Sequence, residues 1–133
     1  MATFDVHVLP HQGRVRIVVV GKAGVDLFGA AFNAVLDDPD FSPGMDTLWN
    51  LMNADVSSIS IEEIQSIVDM VEINAQRRGA GRVAIVAERD VDFGVSRIYQ
   101  ALASDLDTSV AVFRAVADAE AWFDRGSGRD GPG

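Results

Sequence analysis

The N-terminal part of the chain shows two kinds of hydrophobic pattern. Residues 4–8 alternate between apolar and polar side chains, which is the period of a β-strand with one buried face. After a turn at residues 10–13, the continuous apolar run at residues 17–20 is typical of a strand that is covered on both faces. Because so short a turn separates them, the two segments predict a β-hairpin.

A helical period follows. Val25, Phe28 and Phe32 recur at the spacing that forms one apolar stripe, and they predict a helix over about residues 25–36. Pro39 ends this helix, because a proline disfavours helical geometry in the residue before it. Residues 47–52 then predict a third strand.

The second helix begins with a capping box. Ser60 is positioned to accept a hydrogen bond from the third helical amide, while Glu63 reaches back to the cap. The helix is predicted to continue to about Arg78 and to end at the glycines of residues 79–81. Its predicted inward face consists of Ile61, Ile64, Ile67, Val68, Val71 and Ala75.

The remaining pattern completes an α/β fold. Strands are predicted at residues 82–87 and 109–113, and a last helix over residues 117–123. Asp92 is the candidate cap of a further helix between these two strands. The order β-β-α-β-α-β-α-β-α predicts a mixed sheet of about five strands, an N-terminal hairpin followed by parallel strands with right-handed crossovers. We expect a single domain over residues 1–124 and a disordered tail at residues 125–133.

Composition narrows the class of protein. Hydrophobic residues make up 48% of the chain, as in globular domains, and the chain contains no cysteine. The net charge of −9 repels phosphate backbones and predicts no nucleic-acid partner. Without a signal peptide or a long apolar stretch, we expect a cytoplasmic protein. Arg77, Arg78 and Arg82 are interpreted as cations that offset the carbonyls of a helix end.

The most suggestive apolar residues surround the first helix. They are Phe28, Phe32, Leu36, Phe41, Met45 and Trp49. Most of them also suit an ordinary core. However, the loop that carries Phe41 and Met45 is able to lift from the helix, which would open an apolar pocket or present an apolar patch. These six residues are therefore the predicted binding site for a small apolar ligand or a protein partner.

Two serines precede the second helix and suggest a different function. Ser57 and Ser58 lie where free amides and the helix dipole favour an anion, so either is a candidate for phosphorylation. A third hypothesis is an enzyme that uses the loop carboxylates of Glu88, Asp90 and Asp92. Adjacent charges of this kind usually form a solvated connection, and we predict no catalytic residue.

The sequence predicts no cofactor and no metal site. His7 and His11 are the only histidines, and no acidic residue is spaced near them as part of a ligand set.

Several strings resemble a known superfamily. They are Pro43-Gly44-Met45 leading to Leu48-Trp49-Asn50-Leu51, Phe93-Gly94 with Arg97 and Tyr99, and Val112-Phe113-Arg114 followed by Ala119-Glu120-Ala121-Trp122-Phe123. In this order and spacing they resemble the STAS/SpoIIAA-like superfamily, and in particular its bacterial STAS/SEC14-like domain proteins. The resemblance implies a mixed sheet with helices largely on one side, and a regulatory or ligand-binding role without catalysis.

The resemblance also implies two specific roles. Antagonist members carry an Asp-Ser-Ser/Thr-Gly phosphoacceptor motif after the third strand, but residues 53–61 have neither the glycine nor the Asp-Ser pair. In the SEC14-like branch, the groove near the first helix implies a lipid-like ligand, sometimes with peripheral membrane contact. Because the net charge is strongly negative, electrostatic attachment to an anionic membrane is not expected, and apolar contact is the only expected means of binding. A homodimer through exposed apolar helix surface is a further expectation.

Overall fold

The computed structural model describes residues 1–126 of the chain. Within this range it contains five strands and five helices, with a 3-10 turn at Pro10–Gln12 after the first strand. The strands are β1 (Thr3–Leu9), β2 (Arg14–Lys22), β3 (Asp46–Asp55), β4 (Val83–Val86) and β5 (Val110–Phe113). The helices are α1 (Val25–Asp37), α2 (Ile61–Ile73), α3 (Ala75–Arg78), α4 (Asp90–Leu102) and α5 (Val116–Gly126).

The five strands form one sheet in the order β1-β2-β3-β4-β5. Strand β1 is antiparallel to β2, whereas β3, β4 and β5 each run parallel to the preceding strand. The predicted mixed sheet with an N-terminal hairpin is therefore confirmed. Each parallel step requires a crossover, and α1, α2–α3 and α4 supply the three crossovers.

Strand β3 is longer than predicted and carries a bulge. Val18 of β2 pairs with Asn50, but Val20 pairs with Asn53, so β3 contains one extra residue between the two pairs. The Asn50 side chain stabilises this irregularity, because its Oδ1 accepts a hydrogen bond from the Met52 amide at 3.0 Å. Hydrophobic periodicity did not predict the strand beyond residue 52, since the bulge breaks the alternation there.

The two faces of the sheet are covered differently. Helices α1, α2 and α4 pack together over the face that contains Ile17, Leu51 and Ile85. Among the helices of residues 1–126, α5 is the one that covers the opposite face, where Leu48 and Phe123 are almost completely buried. The sheet thus has apolar residues buried on both sides of its central strands, which explains the continuous apolar runs in the sequence.

Arginines attach α5 to the sheet. Arg82 Nη2 lies 2.7 Å from Asp46 Oδ2, and the same guanidinium donates to the carbonyls of Trp122 and Phe123. Arg14, from β2, forms an ion pair with Glu120 of α5. These contacts are partly buried, so solvent screens them less than it would screen surface ion pairs.

Three details of the helix predictions need correction. Ile61 is 59% exposed, because the buried stripe of α2 begins one turn later, at Ile64. The predicted helix to Arg78 is interrupted at Asn74, whose backbone and side-chain amides both donate to the Met70 carbonyl. Ala75, predicted to face inward, is exposed.

Helix α5 extends to Gly126 and so includes the first two residues of the predicted tail. The rest of that tail, 127–133, lies outside the described residues. No helix among residues 1–126 combines the length and apolar character that crossing a bilayer requires.

A glycine before β4 provides a test of the packing. A Cβ at Gly81 would lie 2.1 Å from the Met45 carbonyl oxygen, so backbone must move. We expect Gly81→Ala to lower the free energy of unfolding by about 1–3 kcal/mol, as measured by denaturant unfolding. The matched control is Gly94→Ala, in α4, where a Cβ meets no atom within 4 Å. This control should stabilise the protein by about 0.5–1 kcal/mol, and equal effects of the two substitutions would contradict the packing described.

Candidate functional site

A cavity of about 90 Å³ lies between the sheet and the three helices α1, α2 and α4. Most of its walls are aliphatic or aromatic side chains. The lining residues are Ile17, Phe28, Phe32, Val35, Leu36, Phe41, Thr47, Trp49, Leu51, Val56, Ile59, Ile64, Ile67, Met70, Val71, Arg78, Val83, Ile85, Val95, Ser96 and Tyr99. Since helices and strands supply most of these residues, the shape of the cavity is set largely by regular secondary structure.

The structure brings five of the six predicted site residues to this cavity. They are Phe28, Phe32, Leu36, Phe41 and Trp49. The apolar stripe of α1 carries the first three, because residues at this spacing share one helix face. The rings of Phe28 and Trp49 lie 5.6 Å apart at a tilt of 46°, a favourable aromatic arrangement that fixes α1 against β3.

Met45, the sixth residue, does not line the cavity. It is buried in the core, and the backbone around it is held in place on both sides. The Gly44 amide donates to the Arg78 carbonyl at 2.9 Å, and Asp46 Oδ1 accepts from the Arg82 amide at 2.9 Å. The loop that was expected to lift is therefore anchored at the Met45 end.

The cavity also has a polar part, which consists of Thr47, Arg78, Ser96 and Tyr99. The Ser96 hydroxyl donates to the Asp92 carbonyl at 2.8 Å, so it is already engaged. Arg78 is the unusual member, since only 6% of its surface is exposed. A buried arginine at the edge of an apolar cavity is uncommon because removing the charge from water is costly.

The guanidinium of Arg78 is only partly satisfied. Its Nη1 donates to the carbonyls of Gly79 and Gly81, at 3.2 and 3.0 Å. Its Nη2 is buried and has no hydrogen-bond partner, and Arg78 forms no ion pair with any residue of 1–126. Asp46 acts on it electrostatically, but the Asp46 carboxylate is bound to Arg82.

Sequence reasoning missed Arg78 as a site residue. It was interpreted as one of three cations that offset the carbonyls of a helix end, and it does donate to two carbonyls beside the end of α3, but its burial was not predicted. Its neighbour Arg77 is exposed and pairs with Asp37. Two consecutive arginines carry no signal that separates the exposed one from the buried one. The break at Asn74, which turns the last helical segment, was the missing information.

Burial shifts two of the polar groups toward their neutral forms. It lowers the pKa of the Arg78 guanidinium, with Tyr99 and Asp46 opposing the change. It raises the pKa of the Tyr99 hydroxyl, and the nearby Arg78 cation opposes that rise. An arginine remains protonated at neutral pH even so, and the cavity therefore combines apolar walls with one positive charge and one neutral phenol.

A second cluster connects the loop after β3 to the start of α4. Asp55 Oδ1 accepts from the amide and the hydroxyl of Ser57, at 2.9 and 2.5 Å. Arg89 lies 3.0 Å from Asp55 and 2.6 Å from Asp92. The hydrogen bonds from Ser57, followed by the contribution of Arg89, lower the pKa of Asp55 to about 2.

The predicted phosphorylation candidates lie in this cluster. Ser57 and Ser58 are both exposed in the loop before α2. The hydroxyl of Ser57 donates to Asp55, whereas Ser60 caps α2 together with Glu63, as predicted.

The three loop carboxylates are not part of the cavity. Asp92 is 1% exposed, and its Oδ1 accepts from the Val56 amide at 2.9 Å. Asp92 is not the helix cap that the sequence suggested, because α4 already begins at Asp90. The Asp92 carboxylate instead binds the loop that contains Val56. Glu88 and Asp90 are exposed, and Asp90 pairs with Arg114 at 2.7 Å.

Histidines also lie away from the cavity. His7 and His11 are both exposed, in β1 and in the turn that follows it. Among residues 1–126, no three histidine, aspartate or glutamate side chains are grouped in a way that would hold a metal ion.

No protein-family model matches the chain, and none of the curated proteins matches it either. Solved structures that are similar to it include the following two. One is an uncharacterized DUF3478-family protein with a SpoIIAA-like fold from Shewanella loihica PV-4, with a TM-score of 0.57 and 14% identity over 91% of this chain and 92% of that chain. The other is the anti-sigma factor antagonist SpoIIAA in its unphosphorylated form, with a TM-score of 0.52 and 16% identity over 96% of this chain and 100% of that chain. The chain therefore has a SpoIIAA-like fold, as the resemblance implied.

The Asp55 cluster yields a prediction about pH. In Ser57→Ala the carboxylate loses its side-chain hydrogen bond, so its pKa should rise from about 2 toward the ordinary value of 3.8, as measured by carboxyl ¹³C NMR titration. Because the pKa is lowered in the folded state, this carboxylate stabilises the fold above about pH 4 and loses that effect as the pH falls toward 2. Ser58→Ala is the control and should leave the Asp55 titration unchanged. An unchanged Asp55 titration in Ser57→Ala would refute the assignment.

Proposed function

We propose that this protein is a non-enzymatic binding module that takes a small apolar ligand into the cavity under α1. The observation that carries the proposal is the cavity itself. Its walls come from three helices and the sheet, and nearly all of its lining side chains are apolar. Small-molecule sites commonly have this character, an apolar enclosure with a few convergent polar groups.

The size of the cavity limits the ligand. An apolar cavity of roughly 150 Å³ in another protein stays dry and takes benzene. By proportion, the 90 Å³ here admits about four heavy atoms before any side chain moves. Flexible side chains such as Met70 are able to enlarge this space. A small apolar molecule therefore fits better than a complete lipid.

The burial of the apolar residues of α1 favours a small ligand over a protein partner at this helix. Phe32 and Leu36 are only 6% and 8% exposed, so they offer little surface to a docking protein. The large apolar residues that are exposed lie elsewhere and include Ile61 and Ile73 of α2. A partner at the first helix would have to contact its polar outer face.

Xenon is a suitable probe for this proposal because it enters apolar cavities without any polar contact. We expect saturable methyl shifts of Ile67 and Ile85 in ¹H–¹³C spectra recorded under xenon pressure. In Val95→Phe the larger side chain should fill the cavity and abolish these shifts. The matched control is Val91→Phe, at an exposed position of the same helix, which should leave them intact. Wild-type protein without saturable shifts would rule out the cavity as a binding site.

A second candidate function is a partner switch controlled by serine phosphorylation. It is favoured by the likeness to a protein that is named an anti-sigma factor antagonist and was solved in its unphosphorylated form. Ser58 is the better acceptor, because it is exposed and the Ser57 hydroxyl is held by Asp55. We expect phosphopeptide mapping of protein from its own cells to find phosphate on Ser58 in preference to Ser57. Cells that yield only unmodified loop peptide under every growth condition would exclude this switch.

A further inference from the structure

The unpartnered nitrogen of Arg78 is the feature that neither the fold nor the apolar walls explain. A buried guanidinium has five N–H donors, and those of Nη2 have no acceptor in residues 1–126. Leaving such a donor unpaired in a protein interior is costly, and the cost is larger for a charged group. The other buried cation, Arg14, also has one nitrogen without a partner, its Nε, but it contacts two carboxylates of α5. Among residues 1–126, only Arg78 combines burial of its guanidinium with the lack of an ion pair.

We propose that the ligand of the cavity is a monocarboxylic acid with a short apolar chain, whose carboxylate accepts a hydrogen bond from Arg78 Nη2. This inference rests on the proposed function, since it names the chemical class of molecule that enters the same cavity. The apolar walls take the chain, and the guanidinium supplies the charge that the carboxylate requires.

The number of donors favours a carboxylate over a phosphate. One buried guanidinium nitrogen, Nη2, has no partner among residues 1–126, and Tyr99 lines the same cavity with a neutral hydroxyl. A single buried cation balances a monoanion, whereas a phosphate monoester carries up to two charges and would remain partly unpaired. By the same proportion butyrate, which has six heavy atoms, needs about 150 Å³, so the cavity suits only the shortest such acids and takes butyrate once flexible side chains adjust.

The test compares butyrate with butyramide, which has nearly the same shape but no charge, on the full chain. The readout is the dissociation constant from methyl shifts of the cavity residues. Wild-type protein should bind butyrate at least about tenfold more tightly than butyramide, because hydrogen bonds to charged groups are worth that much in a buried site. In Arg78→Met this preference should disappear while butyramide binding is kept. Arg77→Met, which removes the exposed neighbouring arginine, should preserve the preference.

The outcomes separate the two proposals. If wild-type protein binds both compounds equally, or if Arg78→Met retains the preference, the carboxylate assignment is wrong while the apolar cavity remains a binding site. If neither compound nor xenon binds, the proposed function is wrong as well. Should Arg78→Met fail to fold, the ¹⁵N resonance of Arg78 Nη in wild-type protein gives the answer. It must shift with butyrate and stay in place with butyramide, and any other result overturns the proposal.

Discussion

The guanidinium of Arg78 is buried, and it forms no ion pair with a carboxylate of residues 1–126. Moving an ion from water into a protein interior costs several kcal/mol even after relaxation. For Arg78 the carbonyls of Gly79 and Gly81 offset part of that cost, and in doing so they hold the short segment between α3 and β4. The same segment packs against the backbone of residues 44–45. The guanidinium therefore fixes the local backbone and at the same time brings an unsatisfied donor to the edge of the cavity.

The opposite face of the sheet shows what a purely structural arginine looks like here. Arg82 is bound to Asp46, lies over the ring of Trp122 and donates to the carbonyls near the end of α5. Arg14 likewise faces Glu120 and lies 4.9 Å from the centre of the Phe123 ring. Both side chains contact carboxylates and aromatic faces, which compensate for most of their desolvation, although Arg14 Nε has no hydrogen-bond partner. Arg82 and Arg14 form ion pairs that attach a helix to the sheet, whereas Arg78 forms none and keeps a donor that a ligand would satisfy.

Hydrophobic periodicity was sufficient to predict most of the fold. The alternation of strands and helices predicted the hairpin and the parallel strands that follow it, and the apolar stripe of α1 predicted Phe28 and Phe32 as site residues that line the cavity. Periodicity alone does not report where neighbouring elements begin and end. For that reason the pattern placed Ile61 on the inward face of α2, although this residue is exposed, and it did not indicate that Arg78 is buried.

The second kind of error concerned polar side chains whose partners are distant in the sequence. Asp92 fits the composition of a helix cap, but its carboxylate binds a loop amide from residue 56, thirty-six positions away. A contact of such sequence separation has no local signal. The Ser60 capping box, by contrast, is confirmed because both of its partners lie within one helical turn.

If the cavity between the sheet and α1, α2 and α4 receives the apolar part of a small acid, the bound molecule must lie inside it. Intermolecular nuclear Overhauser effects between the methyl group of butyrate and the protein locate that molecule. We expect contacts to Ile67, Val95 and the indole of Trp49, which line the cavity. Contacts confined to the exposed side chains of Ile61 and Ile73 would contradict this expectation, because they would place the molecule on the outer surface of α2.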